Sequence, residues 1–131
     1  MIWILLTLIL TLASSQGLSG IASDNGGHRI SNVETSGSWV YIYDQDGKRY
    51  KTMSASSVGD VKGFSTTFFV SRNGSWVYLW DSKGRRYKTM SYSSVGDVVG
   101  VAGETFTSRN GSWVYTWSKE GKKLNTRSVV K

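Results

Sequence analysis

Residues 73–91 read NGSWVYLWDSKGRRYKTMS, and the stretch occurs twice more, as SGSWVYIYDQDGKRYKTMS over 36–54 and NGSWVYTWSKEGKKLNTRS over 110–128. Trp39, Trp76 and Trp113 stand 37 residues apart, and Gly37, Gly74 and Gly111 keep the same interval. A fixed period of this length marks a repeat architecture in which each copy is one supersecondary unit. Between 37–61 and 74–98, nineteen of twenty-five positions are identical, so these two copies are expected to share a conformation. The period divides the chain into units at 22–58, 59–95 and 96–131, inside one repeat domain over 16–131.

Within a unit the polarity alternates with period two, the signature of strands. Trp76, Tyr78 and Trp80 fall on one face of a strand, and Val77, Leu79 and Asp81 on the other. Asn73-Gly74 suits the positive φ of a tight hairpin and joins this strand to one from Phe68 to Arg72. Asp81-Ser82-Lys83-Gly84 reads as the next turn, leading into a strand from Arg85 to Ser91. A short apolar strand, Val61 to Phe64 in the second unit and Val98 to Ala102 in the third, precedes them. Each unit is therefore expected to be a four-stranded antiparallel meander, and the fold class is all-β. Since both faces of the Trp76 strand carry large apolar groups, each sheet should be sandwiched between neighbours.

Over Phe68 to Met90, FFVSRNGSWVYLWDSKGRRYKTM resembles the second to fourth strands of a β-propeller blade. It is similar to the tryptophan-aspartate repeat, with Asn73-Gly74, Trp80-Asp81 and Gly84 in matching order, and to generic blades of other bacterial propellers. Tyr43-Asp44 and Trp117-Ser118 depart from the Trp-Asp pair, and DNGGHRISNVETS, residues 24–36, makes a poor opening strand, as in a frayed or capping copy. The resemblance implies half of a ring, so that two chains would complete a six-bladed propeller as a homo-oligomer. The alternative is a threefold β-trefoil or β-prism monomer. Neither the QxW trefoil signature nor the mannose motif of prism lectins is present; Ser71, Asn73 and Ser75 stand where the latter's polar residues would be.

Sixteen Lys and Arg against nine Asp and Glu give a net charge of +7, which favours acidic partners. The absence of Cys excludes disulfides and thiolate chemistry, and with a single His it leaves no set for a His/Cys metal site. No cofactor is expected. The apolar run from Ile2 to Ala13 is shorter than the roughly 20 residues of a spanning helix, and Ala13-Ser14-Ser15 offers small residues for cleavage. Residues 1–15 are therefore read as a signal peptide, giving a secreted, periplasmic or cell-surface protein with no stable membrane span after cleavage.

Catalytic patterns are weak. His28 has no nucleophile elbow to serve and reads as an exposed loop imidazole. Asp60 and Asp97, copied within Ser-Ser-Val-Gly-Asp, read as turn residues whose side chains accept backbone N–H bonds. The chain is not expected to be an enzyme.

Two constellations suit binding. Aromatic rings can stack on sugars or bases, and those nearest a turn, Tyr43, Trp80 and Trp117, are candidates, with Tyr50, Tyr87 and Tyr92 from neighbouring segments. The same rings also suit packing between blades. Basic residues recur on the same hairpin, with Arg49, Arg86 and Lys123 as candidate ligand contacts, and such charges also guard an exposed edge strand. The expected function is a non-catalytic extracellular or periplasmic module, binding carbohydrate at repeated aromatic and basic sites; the partner class is a glycan or anionic polymer, with nucleic acid less favoured. The alternative is a structural or protein-interaction subunit whose aromatic faces are used in self-assembly.

Overall fold

The computed structural model describes residues 27–129. The 1–15 segment read as a signal peptide lies outside them. Among the described residues no helix is long and apolar enough to cross a membrane.

The chain builds three antiparallel sheets in sequence order. The first holds β1 (Asn32–Ser36), β2 (Trp39–Tyr43) and β3 (Arg49–Ser54). The second holds β4 (Asp60–Phe64), β5 (Phe68–Asn73), β6 (Trp76–Asp81) and β7 (Arg86–Ser91), and the third β8 (Asp97–Ala102), β9 (Thr105–Asn110), β10 (Trp113–Ser118) and β11 (Lys123–Ser128). Each sheet is a meander of neighbouring strands. The strands of the first correspond to the last three of the others; the stretch where its opening strand was expected runs into residues outside those described.

Register follows the alternation. Phe69 pairs with Trp80, Ser71 with Tyr78 and Val70 with Leu79. The Trp76, Tyr78 and Trp80 face of the second sheet thus carries Phe69 and Ser71, while Phe68, Val70, Val77 and Leu79 share the opposite face. Both faces are covered. One buried cluster joins Val33, Val40 and Ile42 of the first sheet to Phe69 and Trp80; another joins Phe68, Val70, Val77 and Leu79 to Phe106 and Trp117 of the third. A trefoil or prism would bring the third sheet back against the first. Here the two clusters join first to second and second to third, which is the order of all-β, blade-like repeats.

The sequence Ser-Ser-Val-Gly-Asp makes the link between blades, and in it lies an element the alternation does not reveal. Ala55–Val58 and Tyr92–Val95 are single helical turns, α1 and α2. Val58 and Val95 are fully buried, and Gly59 and Gly96 close each turn at φ 85° and 86°. Their N–H groups donate to Ala55 O and Tyr92 O. A side chain at either glycine would collide with the carbonyl oxygen of Arg72 or Arg109. Glycine is required twice over there, by dihedral and by space.

The polar groups beneath the two core tryptophans are satisfied by the repeat itself. Trp80 Nε1 donates to Ser71 Oγ at 2.9 Å, and Ser71 Oγ donates to Val58 O at 2.7 Å. Trp117, Ser108 and Val95 repeat the chain at 2.9 and 2.6 Å. Cross-strand ring pairs lie beside them, Phe69 with Trp80 at 5.7 Å and Phe106 with Trp117 at 6.0 Å between centroids. Such pairs contribute roughly 0.5–1.5 kcal/mol beyond the area they bury.

Candidate functional site

The structure divides the sequence-derived aromatic candidates. Trp80 and Trp117 are each 6% exposed, stacked on Phe69 and Phe106 and hydrogen-bonded inside the core. Both stand next to a turn, but the neighbouring sheet covers that end of β6 and β10, so these rings belong to packing. Tyr43, the counterpart in the first sheet, lies on the uncovered outer face, where its hydroxyl donates to Glu34 at 3.0 Å. That hydrogen bond, with smaller contributions from burial and the Glu34 charge, raises its pKa.

The open indoles are those at the other end of the same strands. Trp39, Trp76 and Trp113 are 50%, 50% and 48% exposed. They are the first residues of β2, β6 and β10 and pair with Ser54, Ser91 and Ser128 in identical register. The stack therefore presents one half-exposed indole per sheet. The signal for this was in the sequence, since these three tryptophans are the invariant ones of the 37-residue period.

Arg49, Arg86 and Lys123 extend the same faces. Their charged groups sit over the rings of Tyr41, Tyr78 and Tyr115, 4.3, 4.4 and 4.0 Å from the centroids. All three cations are exposed. Each sheet thus carries a tryptophan and a tyrosine-supported cation on one face, an arrangement that suits an acidic, ring-bearing ligand.

Tyr50 and Tyr87 work across sheets instead. Each hydroxyl donates to a backbone carbonyl in the turn of the next sheet, Ser82 O for Tyr50 and Lys119 O for Tyr87. Burial, aided by the charges of Asp44 and Asp81, pushes the Tyr50 hydroxyl up to about 12. Burial, then the Glu120 charge, also raises Tyr87. Tyr92 donates to Asp97, which raises its pKa, and the Arg72 guanidinium lies 3.4 Å from its ring centroid. Arg72 Nη1 is 3.8 Å from Asp97 Oδ1. Asp97 therefore accepts from a tyrosine hydroxyl and not, as expected, from backbone N–H groups. That turn role falls to Asp44 and Asp81, whose Oδ1 atoms each accept two backbone N–H bonds, from Asp46 and Lys48 and from Lys83 and Arg85.

His28 lies in a loop with its side chain 38% exposed, as the sequence suggests, and it also has partners. Its ring stacks on Tyr50 at 4.0 Å with 1° between planes, and Nδ1 is 3.4 Å from Asp44 Oδ2. The backbone N–H of Lys48, with that of Asp46 and the His28 ring, holds the Asp44 carboxyl below the usual carboxylate range. The equivalent place between the second and third sheets is a cleft of about 300 Å³ lined by Thr67, Asp81, Tyr87, Lys119 and Glu120. Among the described residues no group of three or more His, Cys, Asp or Glu is placed to hold a metal ion.

No protein-family model matches the sequence, and no curated protein matches it. Among solved structures the fold is similar to "KlHsv2 with loop 6CD replaced by a Gly-Ser linker", with a TM-score of 0.51 and 12% identity, covering 71% of this chain and 32% of that one. The chain thus matches about a third of that protein's length. At this identity the likeness is one of fold, compatible with blade-like β repeats.

Proposed function

We propose that the chain is a non-catalytic binding module that acts outside the cytoplasm and takes acidic glycan chains across its three sheets. The observation that carries this reading is the threefold recurrence, in one register, of a half-exposed indole with a tyrosine-supported cation on the same face. An indole offers a flat apolar surface to the C–H face of a sugar ring, and the cation pairs with a carboxylate or sulfate on it. Successive face-to-face sheets stand about 10 Å apart, so a polymer with repeated acidic sugars can meet several sites at once. Each site alone is weak, and simultaneous engagement multiplies the affinity. A propeller-type arrangement serves this reading by holding the sites at a constant spacing.

The experiment is tryptophan fluorescence titration with heparin as the acidic polysaccharide and dextran as the neutral one. Heparin quenches saturably, with affinity falling as salt rises, and dextran does not. The W39A/W76A/W113A triple variant loses the heparin response, and R49A/R86A/K123A loses both affinity and salt slope. A wild-type chain silent to heparin, or triple variants that bind it unchanged, overturns the reading. The self-assembly alternative draws on the same aromatic faces, and it predicts that all these titrations are silent.

A further inference from the structure

The two inter-sheet clefts are built from equivalent positions but only one is filled by the chain's own side chain. Between the first and second sheets, His28 lies flat on Tyr50 with a ring nitrogen 3.4 Å from Asp44 Oδ2. Gln45 fixes the segment that carries it: Gln45 Oε1 accepts from Arg29 N and Gln45 Nε2 donates to Gly27 O, both at 2.9 Å. One period later Tyr87 replaces Tyr50, Asp81 replaces Asp44 and both keep their local geometry, with Asp81 Oδ1 accepting the same two backbone bonds. The position of His28 is taken by Ser65 and that of Gln45 by Ser82, so no ring enters. The result is the cleft of about 300 Å³, with Tyr87 43% exposed at its side.

Two further features of this cleft point to a ligand. Thr67 Oγ1 and Ser65 Oγ are buried and have no hydrogen-bond partner among the described residues, although Thr67 lines the space. A buried hydroxyl left without a partner costs free energy that a ligand's polar atom can recover. The charge also admits a cation, since Asp81 Oδ2 is 3.6 Å from Arg85 Nε, a surface pair whose arginine is largely open to water and can be displaced. Glu120 stands where the first cleft has Lys83. Lys119 is engaged with Glu104 at 2.9 Å.

We infer that the cleft between the second and third sheets binds an imidazolium ring from outside the described chain, stacked on Tyr87 with an N–H directed to Asp81, as His28 is placed on Tyr50 and Asp44. The ring's planarity fits the tyrosine face, its positive charge fits Asp81 and Glu120, and its second N–H can reach the hydroxyl of Thr67. This site is separate from the indole and cation rows and stands or falls apart from them.

The test is an NMR titration of the full chain with imidazole at about pH 5.5, below the roughly 6.5 at which a histidine ring loses its proton. Wild type is expected to show saturable shifts at Tyr87 and Thr67, and none at Tyr50. The D81N variant weakens this binding at least tenfold. The S65H variant, which supplies a ring from the position equivalent to His28, abolishes it and shifts Tyr87 in the absence of imidazole. Conversely, H28A opens the first cleft and adds saturable shifts at Tyr50. A glycine-flanked histidine tripeptide that binds at least tenfold more tightly than imidazole identifies the source as a peptide side chain, and equal affinity identifies a free small molecule. No saturable shift at Tyr87 in wild type, or binding indifferent to both D81N and S65H, overturns the inference.

Discussion

Ser71 is the hydrogen-bond hub beneath Trp80: its hydroxyl oxygen accepts the indole N–H at 2.9 Å while its proton goes to Val58 O at 2.7 Å. One fully buried side chain therefore ties the second sheet's core tryptophan to the helical turn that enters the sheet. The S71A variant leaves an indole N–H and a carbonyl without partners in a closed space, at a cost of about 1–3 kcal/mol. Urea unfolding followed by tryptophan fluorescence should give a lower midpoint with an unchanged slope. S108A, at the equivalent of this hub under Trp117, should behave alike, and a loss below half a kcal/mol in both would refute the assignment.

Gly59 sits at φ 85° with the carbonyl oxygen of Arg72 where a side chain would go. G59A must displace either the connector or β5 of the second sheet, so the expected destabilisation is at least the roughly 1–3 kcal/mol of a residue held in a disfavoured region. Gly100 provides the control: nothing stands within 4 Å of a Cβ there. G100A should remain within about 0.5 kcal/mol of wild type. Thermal melts of the two variants compare a glycine that the connector demands with one that the strand merely tolerates.

Much of this architecture was legible because a 37-residue period and a two-residue alternation are both carried by large side chains. The hairpin from Trp76 to Ser91 and the sharing of its two faces between neighbours follow from those signals alone. The availability of each ring did not. Trp76 and Trp80 lie on the same face of the same strand, and their exposures differ because Phe69 and the first sheet cover only the Trp80 end. Sequence periodicity reports the face and not the depth. The turns at Ala55–Val58 and Tyr92–Val95 were hidden for another reason: four residues are too few for a helical period to register. His28 could not be placed because its partners, Tyr50 and Asp44, are brought to it by a loop whose anchor, Gln45, has no counterpart elsewhere in the repeat.

Tyr50 retains its proton to about pH 12 in the folded chain, whereas an unfolded tyrosine loses it near 10. Between these values the unfolded chain has released a proton that the folded chain still holds. Stability from this group is therefore complete below about pH 10 and is lost as pH rises toward 12. Y50F removes the titration together with the bond to Ser82 O. The variant is expected to be less stable than wild type at neutral pH and to lose less stability between about pH 8 and pH 11, as urea midpoints at the two values would read. An identical alkaline loss in both proteins would refute it.

Among the described residues, the outer faces of the first and third sheets differ from the inner ones at most of the positions that pack. On the second sheet Phe68, Val70, Val77 and Leu79 face the third; their equivalents on the third sheet's outer face are Thr105, Thr107, Val114 and Thr116, all partly buried, so three of the four apolar positions become threonine. On the first sheet's outer face Asn32 and Tyr43 replace Phe69 and Trp80, and Tyr43 is engaged with Glu34. Terminal units of a stacked repeat are commonly polar on the side that meets water. Three hydroxyls in place of a phenyl and two branched aliphatics remove most of the apolar area that would hold a fourth sheet at roughly 25 cal/mol per Å². The chain is thus expected to run at a single chain's mass in sedimentation equilibrium, against the six-bladed ring of two chains that three blades suggest. T105F/T107V/T116L, which copies the second sheet's face onto the third, should make that mass rise with concentration. A wild-type chain that already sediments at twice its mass, with the triple variant no different, would show that the threonine face is itself an interface.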